Sequence, residues 1–223
     1  MKIVGLIPAR GGSKGIRNKN LALLSGRPLL VHTIRQAKRS KYLDKIVVSS
    51  EEEKILTVAK AAGSEVILRP SEFARDDSRM DDVMIHALSV LASQQYIADL
   101  VVLLQPTSPL RNDKVIDTAI DAFLPKRDQY DSLVPLEETS AKIGIIDHGR
   151  FMPQYLPGMQ RQELSVIYHD CGAVYIFKPD VLRCGEFFGK RLFAFPIAWP
   201  ASLDIDTPED LQLAEYYVEK FGN

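Results

Sequence analysis

The sequence predicts an α/β protein built on a doubly wound, mostly parallel sheet, and three observations carry the sheet. Short β-branched runs at 2–9, 45–50, 65–68 and 100–106 alternate with amphipathic stretches. The first and last, KIVGLIPA and LVVLLQP, are almost continuously apolar, as parallel strands covered on both faces are. Behind the first run, IPARGGSKGIRNKN at 7–20 gathers three glycines and four cations. In such a fold, ligands sit there, beyond the carboxyl ends of the strands.

The intervening elements follow in order. Pro28 reads as a first-turn proline, and Leu30, Ile34 and Ala37 then share one helical face. Ser50 with Glu53 reads as a capping box for a helix over 51–62, which Gly63 ends. Residues 78–94 carry Val83, Leu88 and Leu91 on a helical stripe, with Asp76, Asp77 and Ser78 read as its caps; 112–124 carries Val115, Ala119, Ala122 and Phe123. After about residue 130 the rhythm changes, and 132–136, 141–147, 173–178 and 193–199 read as strands. The glycine- and proline-rich region from about 138 to 172 reads as a projecting excursion within a single domain spanning 1–223. Thr207 as N-cap, Pro208 after it, and Glu209 and Asp210 in the first turn open a closing helix over 207–221.

Bulk properties exclude several function classes. With 28 Lys and Arg against 29 Asp and Glu, the net charge is −1, which gives no general attraction to nucleic acid or to an anionic membrane. The cation cluster at 10–19 is therefore local and suits a small anion. Two cysteines, Cys171 and Cys184, make neither a disulfide framework nor a metal motif. No apolar run approaches the roughly 20 residues that span a bilayer. The expectation is a soluble, cytoplasmic protein.

In the loop, Gly11, Gly12 and Gly15 let the backbone approach a ligand, and consecutive N–H groups can form an anion-binding concavity. Arg10, Lys14 and Lys19 supply compensating charge; the bland alternative is a loop of solvated cations. Neither the Walker A spacing nor the dinucleotide fingerprint fits. Asp204 and Asp206 alternate with Leu203 and Ile205, so in extended backbone both carboxylates share a face. Two such carboxylates call for a cation, and Mg²⁺ with its hard oxygen ligands fits; the alternative gives Asp206 to the helix start.

The segments IPARGGSKGIRNKN and SGRPLLVHTI together resemble the N-terminal motif of the cytidylyltransferases that activate nine-carbon 2-keto acids, the CMP-N-acetylneuraminate synthetases and their legionaminate and pseudaminate relatives. The similarity continues through Arg69-Pro70, LLQPTSPLR at 103–111, the RQ…GAVYIF segment at 161–177 and DIDTPEDL at 204–211. This resemblance implies a Rossmann-like nucleotidyltransferase fold in which Arg10, Gly11, Gly12, Ser13, Lys14, Lys19, Asn20 and Arg69 hold CTP. It implies that Gln105, Lys142, Arg161 and Tyr175 meet the sugar, while the paired carboxylates themselves place Mg²⁺ on Asp204 and Asp206. Arg10, Lys14 and Asp206 would carry the chemistry. The read of the residues alone leaves Arg69 open as a surface arginine and Tyr175 open as core packing. The excursion would be a dimerisation hairpin, with Lys142 and Arg161 reaching the sugar carboxylate of a partner in a homodimer.

Two departures stand out. Relatives usually read V-S-T-D where this chain has Val48-Ser49-Ser50-Glu51, and commonly carry Asn where Cys171 precedes Gly172. The second removes an amide from a position expected to face the sugar. Rival readings are a related enzyme for Kdo or another sugar, and a non-catalytic nucleotide-binding homologue.

Overall fold

In β1 (Ile3–Pro8), Ile3 and Ile7 enter one hydrophobic cluster while Val4 and Leu6 enter another, as the two-residue strand period requires of a sheet covered twice. The computed structural model describes residues 1–13 and 15–221, with Asp113 and Arg161 described in backbone only. After β1 come a small hairpin, β2 (Leu23–Leu24) and β3 (Arg27–Pro28), then α1 (Leu29–Arg39), β4 (Lys45–Ser50), α2 (Glu53–Ala61) and β5 (Glu65–Leu68). The chain continues through α3 (Met80–Ser93), β6 (Leu100–Leu103), α4 (Asp113–Phe123) and β7 (Ser132–Thr139). The excursion holds β8 (Gly144–Asp147) and β9 (Arg150–Pro153). The chain closes through β10 (Ile167–Asp170), β11 (Tyr175–Phe177), α5 (Pro179–Arg183), β12 (Leu192–Pro196) and α6 (Pro208–Phe221).

The main sheet runs β10-β7-β11-β6-β1-β4-β5, with β12 beside β7. The strands β6, β1, β4 and β5 pair in parallel, and β11 enters antiparallel between β6 and β7. Helices α1, α2 and α4 pack Leu30, Ile34, Ile55, Ile116 and Phe123 on one face. Helix α3 packs Met84, Ala87, Leu88 and Leu91 on the other. The doubly wound expectation holds.

Local differences have simple causes. Helix α2 begins at Glu53, and Ser50 Oγ accepts the Glu52 N–H at 3.1 Å, so Ser50 closes a turn and no capping box forms. Pro28 is the N-cap of α1, one residue before the first turn. Helix α3 starts at Met80 without a side-chain cap, because Asp76 is drawn to Arg10 and Ser78 Oγ donates to the Glu72 carbonyl. Asn112 caps α4 by accepting the Val115 N–H, and Thr207 with Asp210 forms a reciprocal cap on α6.

Parallel register decides where the loops go. Pro8 lies opposite Ser49, Ser50 opposite Leu68, and Leu6 opposite Leu103. The residues that follow β1, β4, β5 and β6 therefore share one edge of the sheet.

Candidate active site

Along that edge lies a cleft of about 440 Å³, lined by Arg10, Ser13, Gly15, Lys19, Asn20, Arg69, Gln105 and Asp206 among others. It is large enough for a nucleotide. The loop after β1 forms one wall and is tied at several points. Asn20, itself buried, donates from Nδ2 to the Arg10 carbonyl at 2.8 Å. Gly11 N–H donates to Glu51 Oε1 at 2.7 Å. A Cβ on Gly15 would overlap the Asp206 carbonyl oxygen, so only glycine lets the loop pass there. Gly12 faces open space. Lys14 lies outside the described residues.

Each described cation of the cleft that the sequence singled out already meets a carboxylate. Arg10 Nη1 reaches Asp76 at 2.9 Å, Lys19 Nζ reaches Asp206 at 2.9 Å, and Arg69 pairs with Glu51 at 2.9 Å. Arg69 is 3% exposed. Burial lowers its pKa, the Glu51 charge opposes that shift, and the Arg10 charge adds to it. Two guanidinium groups close enough to repel suit a polyanion between them.

The opposite wall is the Pro106–Pro109 turn and the 203–206 segment. Ile205 N–H donates to the Thr107 carbonyl at 2.8 Å, which seats the aspartate segment against that turn. Leu203 and Ile205 are buried against Leu24, Leu29 and Ala214, and this fixes which way their neighbours turn. Asp206 lines the cleft and Asp204 lies deeper. Gly172, Gln105 and Asp204 converge, since a Cβ on Gly172 would stand 3.1 Å from Gln105 Oε1 and 3.8 Å from Asp204 Oδ2.

Asp204 tests whether the pair could hold a metal. Burial raises its carboxyl pKa, a Thr107 hydrogen bond opposes, and the Asp206 charge adds. Its Oδ1 is buried without a hydrogen-bond partner. A desolvated carboxylate with an orphaned oxygen, next to a second carboxylate, suits a divalent cation. Among the described residues no group of three or more His, Cys, Asp or Glu could hold an ion. The donor set thus fits Mg²⁺, which takes one or two carboxylates and fills its shell with water and phosphate, and does not fit an all-protein cage.

Of the expected sugar contacts, Gln105 lines the cleft and Tyr175 does not. Tyr175 is 6% exposed, packs against Phe177 and Phe188, and donates its hydroxyl to Asp170 Oδ1 at 2.7 Å. It belongs to the core, because its strand is buried on both faces. Cys171, expected to face the sugar, instead packs in the cluster with α1, α2 and α4. Lys142 is exposed in the excursion and donates to the Met159 carbonyl at 2.8 Å, away from the cleft of its own chain. The Arg161 side chain lies outside the described residues.

Arg111 is a core residue that the sequence does not mark. It is fully buried, and its guanidinium donates to the Ala173 and Gln105 carbonyls, to Thr33 Oγ1 and to Gln36 Oε1. It joins α1, the end of β6 and the turn before β11 beneath Gln105. A proline-flanked turn ending in arginine gives no hint of burial, so no sequence signal marked it.

The cytidylyltransferase family profile matches residues 4–143. The chain belongs to the cytidylyltransferase family. The chain is 34% identical over 219 residues to an N-acylneuraminate cytidylyltransferase of Escherichia coli, covering 96% of the chain and 51% of that relative. The chain spans about half the length of the curated relatives of this kind that it matches. It is 33% identical to a CMP-N,N'-diacetyllegionaminic acid synthase of Legionella pneumophila, covering 98% of the chain and 97% of the relative. Among solved structures, a CMP:2-keto-3-deoxy-manno-octonic acid synthetase complexed with CTP has the same fold, with a TM-score of 0.74, 17% identity and 99% of each chain covered.

Proposed function

We propose that this protein transfers CMP from CTP to the anomeric hydroxyl of a nine-carbon 2-keto sugar acid and releases pyrophosphate. The observation that carries the reading is the convergence of the glycine loop, Arg69, Gln105 and Asp206 on one cleft. The named relatives act on sialic-type and legionaminic-type acids, and the acceptor is taken from that class.

In the reaction, the acceptor hydroxyl oxygen attacks the α-phosphorus of CTP. A new oxygen–phosphorus bond forms, the bond to the bridging oxygen breaks, and pyrophosphate leaves with the electron pair. Arg10, Lys19 and the loop N–H groups hold the phosphates and neutralise charge as it moves to the leaving group. Arg69 adds a guanidinium at the same wall. Asp206 takes the hydroxyl proton, and Gln105 orients the acceptor through its amide. Asp204 and Asp206 would hold Mg²⁺, which supplies Lewis acidity and charge neutralisation at the triphosphate when bound.

The acceptor's carboxylate needs a cation, and the acceptor end of one chain is lined by Gln105 and carboxylates. The excursion exposes Ile146, Phe151 and Leu156, an apolar surface suited to a second copy. We infer a homodimer in which Lys142 and Arg161 of one chain serve the other, and a cytoplasmic setting, where CTP is made. No described helix is long and apolar enough to cross a membrane.

Pyrophosphate release from CTP and Mg²⁺ tests the reading, with N-acetylneuraminate, N,N'-diacetyllegionaminate, pseudaminate and Kdo as acceptors and UTP as a control. Release with CTP and one nine-carbon acid is expected. Release with Kdo alone would move the assignment to the eight-carbon acids, and silence from protein that binds CTP would favour a non-catalytic homologue. Light scattering tests the dimer.

A further inference from the structure

The phosphate loop rests on the turn after β4. Gly11 N–H donates to Glu51 Oε1 at 2.7 Å, and a Cβ on Gly11 would overlap the carboxylate of the next residue, Glu52. The other Glu51 oxygen, Oε2, accepts from Arg69 Nε at 3.2 Å and from Nη2 at 2.9 Å. One carboxylate thus spans the ends of three neighbouring parallel strands: the loop after β1, its own place after β4, and the arginine after β5. Glu51 is 17% exposed against 3% for Arg69, so the contact is largely shielded from water.

We propose that Glu51 is a positioning residue for the nucleotide's phosphates: it fixes the Gly11 end of the loop and the Arg69 guanidinium relative to each other before the nucleotide arrives. The inference rests on the reading that this cleft takes a nucleoside triphosphate, and it assigns a role to the residue that departs from the aspartate of the resembled motif.

Three physical points support it. A buried guanidinium needs a counter-charge, and removing that charge leaves it uncompensated. Glu51 occupies the Nε and Nη2 edge, which leaves Nη1 without a described protein acceptor on a side chain that lines the cleft. The Arg10 charge opposes the Arg69 charge, and Glu51 offsets that repulsion at Arg69. A carboxylate that merely occupied the anion site would act in the opposite sense, because its removal would free Gly11 N–H and Arg69 and tighten phosphate binding. The sign of the effect separates the two.

The test is calorimetric titration of the full chain and its Glu51→Gln and Glu51→Asp variants with CTP, CMP, cytidine and inorganic pyrophosphate, alongside thermal melts. Glu51→Gln is expected to weaken CTP and pyrophosphate by about tenfold or more, the scale of one charge-assisted hydrogen bond, with a smaller loss for CMP. Cytidine, which carries no phosphate, should stay within about twofold. Glu51→Asp keeps the charge but shortens the reach, and should fall between parent and Glu51→Gln; it carries the test alone if the glutamine variant fails to fold. Unchanged CTP affinity overturns the proposal, as does tighter binding. An equal loss for all four ligands overturns it too, since that marks a general structural defect. A parent that binds pyrophosphate but not CTP sinks the nucleotide reading and leaves Glu51 to be judged on pyrophosphate; a parent that binds neither sinks both.

Discussion

Lys19 Nζ stands 2.9 Å from Asp206 Oδ1 and donates at the same distance to the carbonyl of Ile205. The lysine side chain is 16% exposed and that of Asp206 74%, so the cation is anchored in the wall while the carboxylate reaches into the cleft. A group read as a phosphate contact and a group read as a metal ligand and proton acceptor are thus held together by one ion pair. In the proposed reaction, phosphate binding at Lys19 and the charge on Asp206 are thereby coupled. Replacing Asp206 with Asn should lower turnover at saturating CTP by about 100-fold or more, the usual contribution of a positioned proton acceptor or metal ligand. Stability should hardly change, because an exposed pair contributes about 1 kcal/mol or less. Pyrophosphate release and a thermal melt on the same preparation check both halves. A near-parental rate would remove Asp206 from the chemistry.

Gly15 and Gly12 look alike in sequence and differ in space. A side chain at Gly15 meets the Asp206 carbonyl, and a side chain at Gly12 meets nothing within 4 Å. Gly15→Ala should therefore push the loop off the 203–206 segment and raise the CTP concentration for half-saturation by about tenfold or more, the effect of misplacing a positioned contact. Gly12→Ala should leave stability within about 0.5 kcal/mol, as open surface positions do. Melting curves and CTP titrations of the two variants separate them. Equal behaviour would mean that the loop does not pass Asp206 as described.

The parallel core was legible because strands buried on both faces write themselves as continuous apolar runs, and Val4, Leu6 and Ile7 do so. The carboxyl-edge rule then pointed to the loop that follows Pro8 and to Arg69 and Gln105, with no knowledge of their distances. What stayed hidden depends on facing and on partners. Tyr175 lies in a strand covered on both sides, where alternation cannot tell a core ring from a pocket ring. Glu51 reads as a helix-start acid, and only the approach of Gly11 and Arg69 gives it another task. Lys142 sits on an excursion whose counterpart would belong to a second chain.

Arg111 makes the case for burial most sharply. Its forked guanidinium serves the carbonyls of Gln105 and Ala173 and the side chains of Thr33 and Gln36 at once, and burial lowers its pKa to about 9. Lysine carries the charge without the fork. Arg111→Lys should therefore lose about 2–4 kcal/mol, the sum of two or three buried hydrogen bonds left unmade. Urea denaturation at constant m-value measures it. A loss below about 0.5 kcal/mol would mean that the guanidinium does not clamp these segments.

Cys171 supplies a pH-dependent test. Burial pushes its thiol up to about 11; a backbone hydrogen bond from Ala173 opposes the shift, and the charges of Asp170 and Glu137 add to it. An unfolded thiol ionises near pH 8.5, so between that value and about 11 the unfolded chain loses the proton that the folded chain keeps. The folded state then binds more protons, and stability falls as pH rises through this window. Cys171→Ala should remove that alkaline component, leaving a flatter dependence of melting temperature between pH 8.5 and 11 than the parent shows. The same burial predicts reactivity: Cys184 is exposed and Cys171 is buried. A thiol reagent at pH 8 should titrate Cys184 quickly in the folded protein and Cys171 only after unfolding. Rapid modification of both in the folded state would place Cys171 outside the core, and would reopen its place beside the acceptor.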